Sequence, residues 1–150
     1  MLYGQDRQEM RAVYFRAWQR YCDNQPLEDM EQHIVSIALM HPEYHVFLAS
    51  PEKYSDTDYL PEHGQTNPFL HMGMHLAISE QLALNQPPGI QDYHTRFLQQ
   101  TGDDHSAQHR MMECLGETLW QAQRSGLPPD NNDYLACLQR LSASPEESPT

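Results

Sequence analysis

Apolar side chains recur at three- and four-residue steps along nearly the whole chain, and this repeat restricts the fold to helices packed on helices. Between Asp6 and about Cys22 it places Met10, Val13, Tyr14, Ala17, Trp18 and Tyr21 on one helical face. From about Leu27 to Met40 it turns Met30, Ile34 and Ile37 inward and ends on His41. Glu28, Asp29 and Glu31 stand near the start of that segment, where the helix dipole favours acid. Pro42 cannot continue a helical ladder, so we read it as the first residue of a new short helix reaching Leu48. No segment alternates apolar and polar residues as a half-buried strand does, and no hairpin signal or internal repeat occurs.

Turn-forming residues divide the remainder. Ser50 to Thr66 is polar, carries Pro51, Pro61 and Gly64, and reads as a long loop with room for one helical turn; long loops in small domains are often functional. Asn67-Pro68 is a helix start, because Asn caps free amides and Pro is preorganised for a first turn. That helix runs to about Asn85 and is broken by Pro87, Pro88 and Gly89. A shorter helix over Ile90 to Gln100 ends where Gly102 can take a left-handed cap, and Asp103 or Asp104 caps the next. The longest segment, His105 to Arg124, aligns Met111, Met112, Leu115, Leu119 and Ala122 and closes at Gly126. After Pro128 and Pro129 a last helix from about Asn131 to Leu141 buries Leu135 and Leu138. The Ser-, Pro- and Glu-rich stretch from Ser142 to Thr150 predicts a disordered tail. The expectation is an all-α protein: a compact bundle of five to six helices forming one domain over residues 1–141, with one long polar loop and the tail at 142–150.

A chain of 150 residues can bury a core without disulfides or a structural metal. With 9 Lys and Arg against 21 Asp and Glu, the formal charge of −12 repels phosphate backbones, which argues against nucleic acid as a partner. No stretch approaches the roughly 18 apolar residues of a membrane span, and no basic-then-apolar leader opens the chain, so a cytoplasmic location is expected. Cys22, Cys114 and Cys137 are odd in number and lack Cys-x-x-Cys spacing, which predicts buried thiols rather than a disulfide framework or a thiolate zinc site. A protein partner or a homo-oligomer is compatible with all of this.

The histidines carry the chemistry. Random placement of the chain's 9 histidines would give about half of one pair at spacing four, yet three pairs occur: His41 with His45, His71 with His75, and His105 with His109. Residues four apart stack on one helix face, close enough to share a cation. His71, Met74, His75, Ile78 and Leu82 form one stripe of a segment that is apolar nearly all round, so this pair is expected inside, where an imidazole must be hydrogen-bonded or bind a metal. In the next pair the ladder continues as His105, His109, Glu113, a nitrogen and oxygen set suited to Zn, Fe, Mn or Ni. His41 ends its own stripe facing inward, while the direction of His45 depends on Pro42.

Motifs for other chemistries are missing. There is no His-Glu-x-x-His, no Glu-x-x-His di-iron signature, no Gly-x-Ser-x-Gly elbow and no phosphate-cradling Gly loop. Cys114 beside Glu113 reads as a packed thiol before a nucleophile. His33, His63 and His94 stand alone and read as surface or helix-boundary residues.

Four segments together carry a resemblance: His41-Pro-Glu-Tyr-His45, Asn67-Pro-Phe-Leu-His-Met-Gly-Met-His75, His109-Arg-Met-Met-Glu-Cys-Leu-Gly-Glu117 and Trp120-Gln-Ala-Gln-Arg124. With them the chain resembles, over nearly all its length except the tail, a proteobacterial family known as domain of unknown function 1841. The resemblance implies a stand-alone bacterial cytoplasmic domain and brings no activity, cofactor or partner.

Two functions therefore stand open. One is a metal-binding bundle with His71, His75, His105 and His109 as central ligands, Glu113 as a carboxylate ligand or base, and His41 and His45 as further ligands; a coordination position left open to water would allow hydrolysis. The other is a structural or interaction module whose histidines satisfy one another by hydrogen bonds.

Overall fold

A computed structural model describes residues 2–55, 57 and 67–143, with side chains described from residue 8 onward. Among them eight α-helices and one 3-10 turn follow in order, with no strand: α1 (Leu2–Cys22), α2 (Asp29–Leu39), the 3-10 turn Pro42–Tyr44, α3 (His45–Leu48), α4 (Pro51–Tyr54), α5 (Pro68–Leu84), α6 (Ile90–Thr101), α7 (Asp104–Ser125) and α8 (Asn131–Ser142). The all-α class holds. The count exceeds the expected five to six because α3 and α4 are single turns, too short to show a period in sequence. None of the described helices is long and apolar enough to cross a membrane. The chain divides into two compact units, residues 1–73 and 74–150, with the boundary inside α5.

In the first unit α1 packs on α2 and α3. The buried face of α1 carries Arg11, Phe15, Ala17 and Trp18, whereas Met10 is 68% exposed and Tyr21 40%. The face is rotated from the expected stripe, toward the aromatic and guanidinium contacts of Phe15 and Arg11 and away from Met10 and Tyr21. Phe69 meets Tyr14 and Phe15 edge-on at 5.8 and 5.6 Å between centroids, and the Arg11 guanidinium lies 4.6 Å over the Phe69 ring while Nη1 donates to the Thr57 carbonyl at 2.8 Å. On α2, Ile34, Val35, Ile37 and Ala38 are buried, and Met30, expected inward, is exposed.

Glu31 is buried on the same helix as an anchor. Its carboxylate accepts the Glu28 amide at 3.0 Å, one half of a capping box, and the Arg20 guanidinium at 3.1 Å. The Glu28 amide first, and then Arg20 and Arg16, hold the Glu31 carboxyl below its ordinary range against the opposing effect of burial. A folded pKa below the unfolded one stabilises the fold above the ordinary carboxylate pKa, and that contribution is lost as pH falls through the lowered folded value. Glu31→Gln is therefore expected to unfold at a lower denaturant concentration than the unaltered chain at pH 7, with the gap narrowing toward pH 3. A gap independent of pH in urea melts would contradict this.

In the second unit α6, α7 and α8 pack on one another around Ile78, Ile90, Phe97, Met111, Leu115 and Leu138. The predicted signals are used. Asn67 Oδ1 accepts the amides of Phe69 and Leu70, Gly102 and Gly126 end α6 and α7 at φ +90° and +73°, and Asp103 and Asp130 cap α7 and α8. Leu119, expected inward on α7, is 38% exposed, and Thr118 takes the buried place. The buried Tyr134 hydroxyl donates to Gln81 at 2.7 Å, and burial pushes its pKa up. α8 runs one residue past the expected tail boundary, since the Ser142 carbonyl accepts from Gln100 Nε2 at 2.8 Å. The remaining tail from residue 144, with most of the Ser50–Thr66 loop and His63, lies outside the described residues.

The cysteines depart from expectation. Cys114 on α7 and Cys137 on α8 form a disulfide with their Cα atoms 5.6 Å apart, and Cys22 is the free, exposed thiol among the described residues. Packing of α8 on α7 aligns two positions 23 residues apart in sequence, and no local pattern announces that spacing.

Candidate metal centre

His75, His105 and His109 converge within the second unit. Each offers a ring nitrogen, and these atoms lie within 4.8 Å of one another. The ring centroids are 5.3 Å apart for His75 and His105, 5.1 Å for His75 and His109, and 4.2 Å for His105 and His109. His75 is fully buried on α5, and the other two, half-buried, stand one turn apart at the start of α7. Two ligands held about 2.0–2.1 Å from a tetrahedral ion stand about 3.3 Å apart, so these nitrogens would have to draw closer to share one.

The hydrogen bonds around His75 fix its tautomer. Asp104 is a carboxylate and only accepts, so Gln108, at 3.0 Å from its Oδ2, must donate through Nε2. The amide oxygen of Gln108 therefore faces His75 Nδ1 at 2.9 Å, and the proton sits on Nδ1. His75 Nε2 is then the lone-pair nitrogen. His94 donates to the other oxygen of Asp104 at 2.7 Å, completing a chain from His94 through Asp104 and Gln108 to His75. This is the outer-shell arrangement that orients a metal-binding imidazole. Sequence reasoning missed Asp104, Gln108 and His94. The available signal was the parallel ladder Asp104-His105 and Gln108-His109, in which an acid and an amide repeat at the same spacing as the histidines.

Glu113 and His45, also expected as ligands, have other surroundings. Glu113 is exposed and outside the group of converging ligand atoms, because another turn of α7 carries it off the face that holds His105 and His109. His45 donates from Nε2 to the Ala38 carbonyl at 2.7 Å and stacks on Trp18 with centroids 4.4 Å apart, a packing role. Its separation from His41 follows from Pro42: His41 leaves helical geometry at φ −129°, ψ 74°, so spacing four no longer means one helix face.

His41 and His71 meet in the first unit, Nε2 to Nε2, at 3.2 Å. His41 is buried, stacks on Tyr44 at 4.9 Å, and donates from Nδ1 to Glu43 Oε2 at 2.7 Å. The His41 hydrogen bond, ahead of the Glu43 amide, holds the Glu43 carboxyl below its ordinary range. His33 is exposed. A pocket of about 500 Å³ between α7 and α8, lined by Glu117, Gln121, Asp130, Asp133, Cys137 and Arg140, lies toward the other end of α7 from the histidines.

An all-helical unit with converging imidazoles defines a class of candidate metal-binding helical proteins, without fixing a reaction. The chain belongs to the family described as domain of unknown function DUF1841, whose model matches residues 6–140. No curated protein and no solved structure matches it.

Proposed function

We propose that the second unit is a transition-metal-binding module in which His75, His105 and His109 are the protein ligands. The observation that carries the reading is the convergence of three imidazoles from two helices, with the proton of the buried one locked on Nδ1 by Gln108 and Asp104. Imidazole ligands suit Zn, Fe, Mn or Ni. Three protein ligands leave a position for water or a small anion, and an ion held this way supplies Lewis acidity and a more acidic water. Gln108 and Asp104 orient His75, and α7 sets the spacing of the other two. The rival reading, a structural or interaction module with hydrogen-bonded histidines, is what remains if no ion binds.

Metal analysis of protein purified without a His tag separates the two. A near-stoichiometric transition metal is expected, with stabilisation of roughly 2.7 kcal/mol when the free ion is at 100 times its Kd. Less than about a tenth of an equivalent, with no shift in melting on adding Zn²⁺, Ni²⁺, Mn²⁺ or Fe²⁺, would sink the proposal. Gln108→Leu removes the acceptor that fixes His75 and is expected to weaken metal binding about 10- to 100-fold. Unchanged affinity in a calorimetric titration would mean that His75 Nε2 is not a ligand.

A further inference from the structure

The pocket between α7 and α8 carries a row of reactive groups that metal binding leaves unused. Asp133, Cys137 and Arg140 line it from α8 at steps of four and three residues, which puts a carboxylate, a disulfide sulfur and a guanidinium on one helix face. Cys114, the other half of the disulfide, is fully buried, whereas Cys137 is half-buried and lines the pocket. Thiol–disulfide exchange starts at whichever sulfur an outside thiolate can reach, so access selects Cys137. Two other carboxylates of the pocket are engaged: Glu117 accepts from Gln121 Nε2 at 2.8 Å, and Asp130 accepts the amides of Asn132 and Asp133. Among the described residues the side chains of Asp133 and Arg140 have no ion pair or hydrogen bond. Seven residues of helix set these two charges about 10 Å apart, with the sulfur between them. An extended tripeptide, at about 3.3–3.6 Å per residue, spans the same length. A volume of about 500 Å³ takes a ligand of that size rather than a folded protein.

We infer that Cys137 is a mixed-disulfide site for a short peptide thiol, whose amino end meets Asp133, whose carboxyl end meets Arg140 and whose central thiol meets the sulfur. The ligand thiolate attacks Cys137 Sγ, a new S–S bond forms there, and the Cys114–Cys137 bond breaks. The electron pair leaves on Cys114 Sγ, which takes up the proton that the ligand thiol gave up. The ligand sulfur is thereby oxidised and the Cys114 sulfur reduced, with the peptide thiol as the reductant. Cys114 belongs to the core cluster with Met111, Leu115 and Leu138, so it stays beside the mixed disulfide and expels the ligand by the reverse attack. The supply of the peptide thiol then decides whether α8 is bonded to α7 or released from it.

The test uses full-length protein carrying Cys22→Ser, which removes the exposed thiol and leaves the disulfide in place. Loss of the disulfide is timed with glutathione, a tripeptide thiol, and with 2-mercaptoethanol, a neutral one, and the ratio of the two rate constants is taken. Arg140→Gln and Asp133→Asn, both at exposed positions, are each expected to lower that ratio about two- to fivefold, the size of one exposed ion pair. A ratio unchanged in either variant overturns the peptide ligand. The point of attack is read by mass spectrometry after adding oxidised glutathione. Cys22→Ser with Cys114→Ser should form an adduct at Cys137 at least about tenfold faster than Cys22→Ser with Cys137→Ser forms one at Cys114. Equal rates, or a faster reaction at Cys114, overturn Cys137 as the site. Should either paired variant fail to fold, capture of the disulfide-intact reaction with N-ethylmaleimide gives the same assignment: maleimide on Cys114 and tripeptide on Cys137 are expected, and the opposite labelling overturns the site. Exchange that needs unfolding urea overturns it as well. None of these readouts depends on a bound metal, so the metal reading stands or falls separately.

Discussion

Phe97→Ala is expected to lower the unfolding free energy by about 3–5 kcal/mol, the usual cost of truncating a fully buried aromatic side chain. Phe97 has no exposed surface and lies in the cluster with Ile90, Met111 and Leu138, so truncation removes contacts from both α6 and α7. The Arg110 guanidinium, 5.5 Å from the ring centroid, loses its aromatic partner as well. A typical domain has about 5–15 kcal/mol in total, so the variant should fold but melt at far lower urea. Because Phe97 follows His94 by one helical turn, the hydrogen bond from His94 to Asp104 should loosen with it. Urea unfolding followed by circular dichroism measures the effect; a loss below about 1 kcal/mol would mean that the cluster is not tightly packed.

Reducing the Cys114–Cys137 disulfide is expected to cost about 3 kcal/mol, because the bond closes a loop of 23 residues and restricts the unfolded chain. Melts with and without dithiothreitol, and of Cys137→Ser, should agree in direction and size. Thiol titration of the denatured, unreduced protein should find Cys22 alone of the three cysteines reactive; three reactive thiols and identical melts would refute the bond. The disulfide also bears on location. Cytosolic reductants hold such pairs largely as thiols, so the bonded form belongs to an oxidising compartment or an oxidised state of the protein.

The sequence by itself determined the helical class, most helix ends and the identity of the metal-binding candidates. Each rests on local physics: a 3.6-residue period, Asn67, Asp103 and Asp130 as caps, Gly102 and Gly126 in left-handed geometry, and histidines at one-turn spacing. It also placed a new helical turn after Pro42, since a ring without an amide hydrogen can only start one.

Tertiary structure alone decided what met what. His41 and His45 share a spacing of four but diverge, because the chain between them leaves helical geometry. Glu113 continues the ladder of His105 and His109 yet is exposed, because eight residues carry an α-helix about 80° past two full turns. The buried face of α1 turned toward Phe69, and Cys114 found Cys137, through contacts between residues far apart in sequence that no period encodes. The histidine pairs were legible as pairs. What each imidazole does depends on which neighbour satisfies its ring nitrogens, as Gln108 does for His75, Glu43 for His41 and the Ala38 carbonyl for His45, and only the folded chain supplies those neighbours.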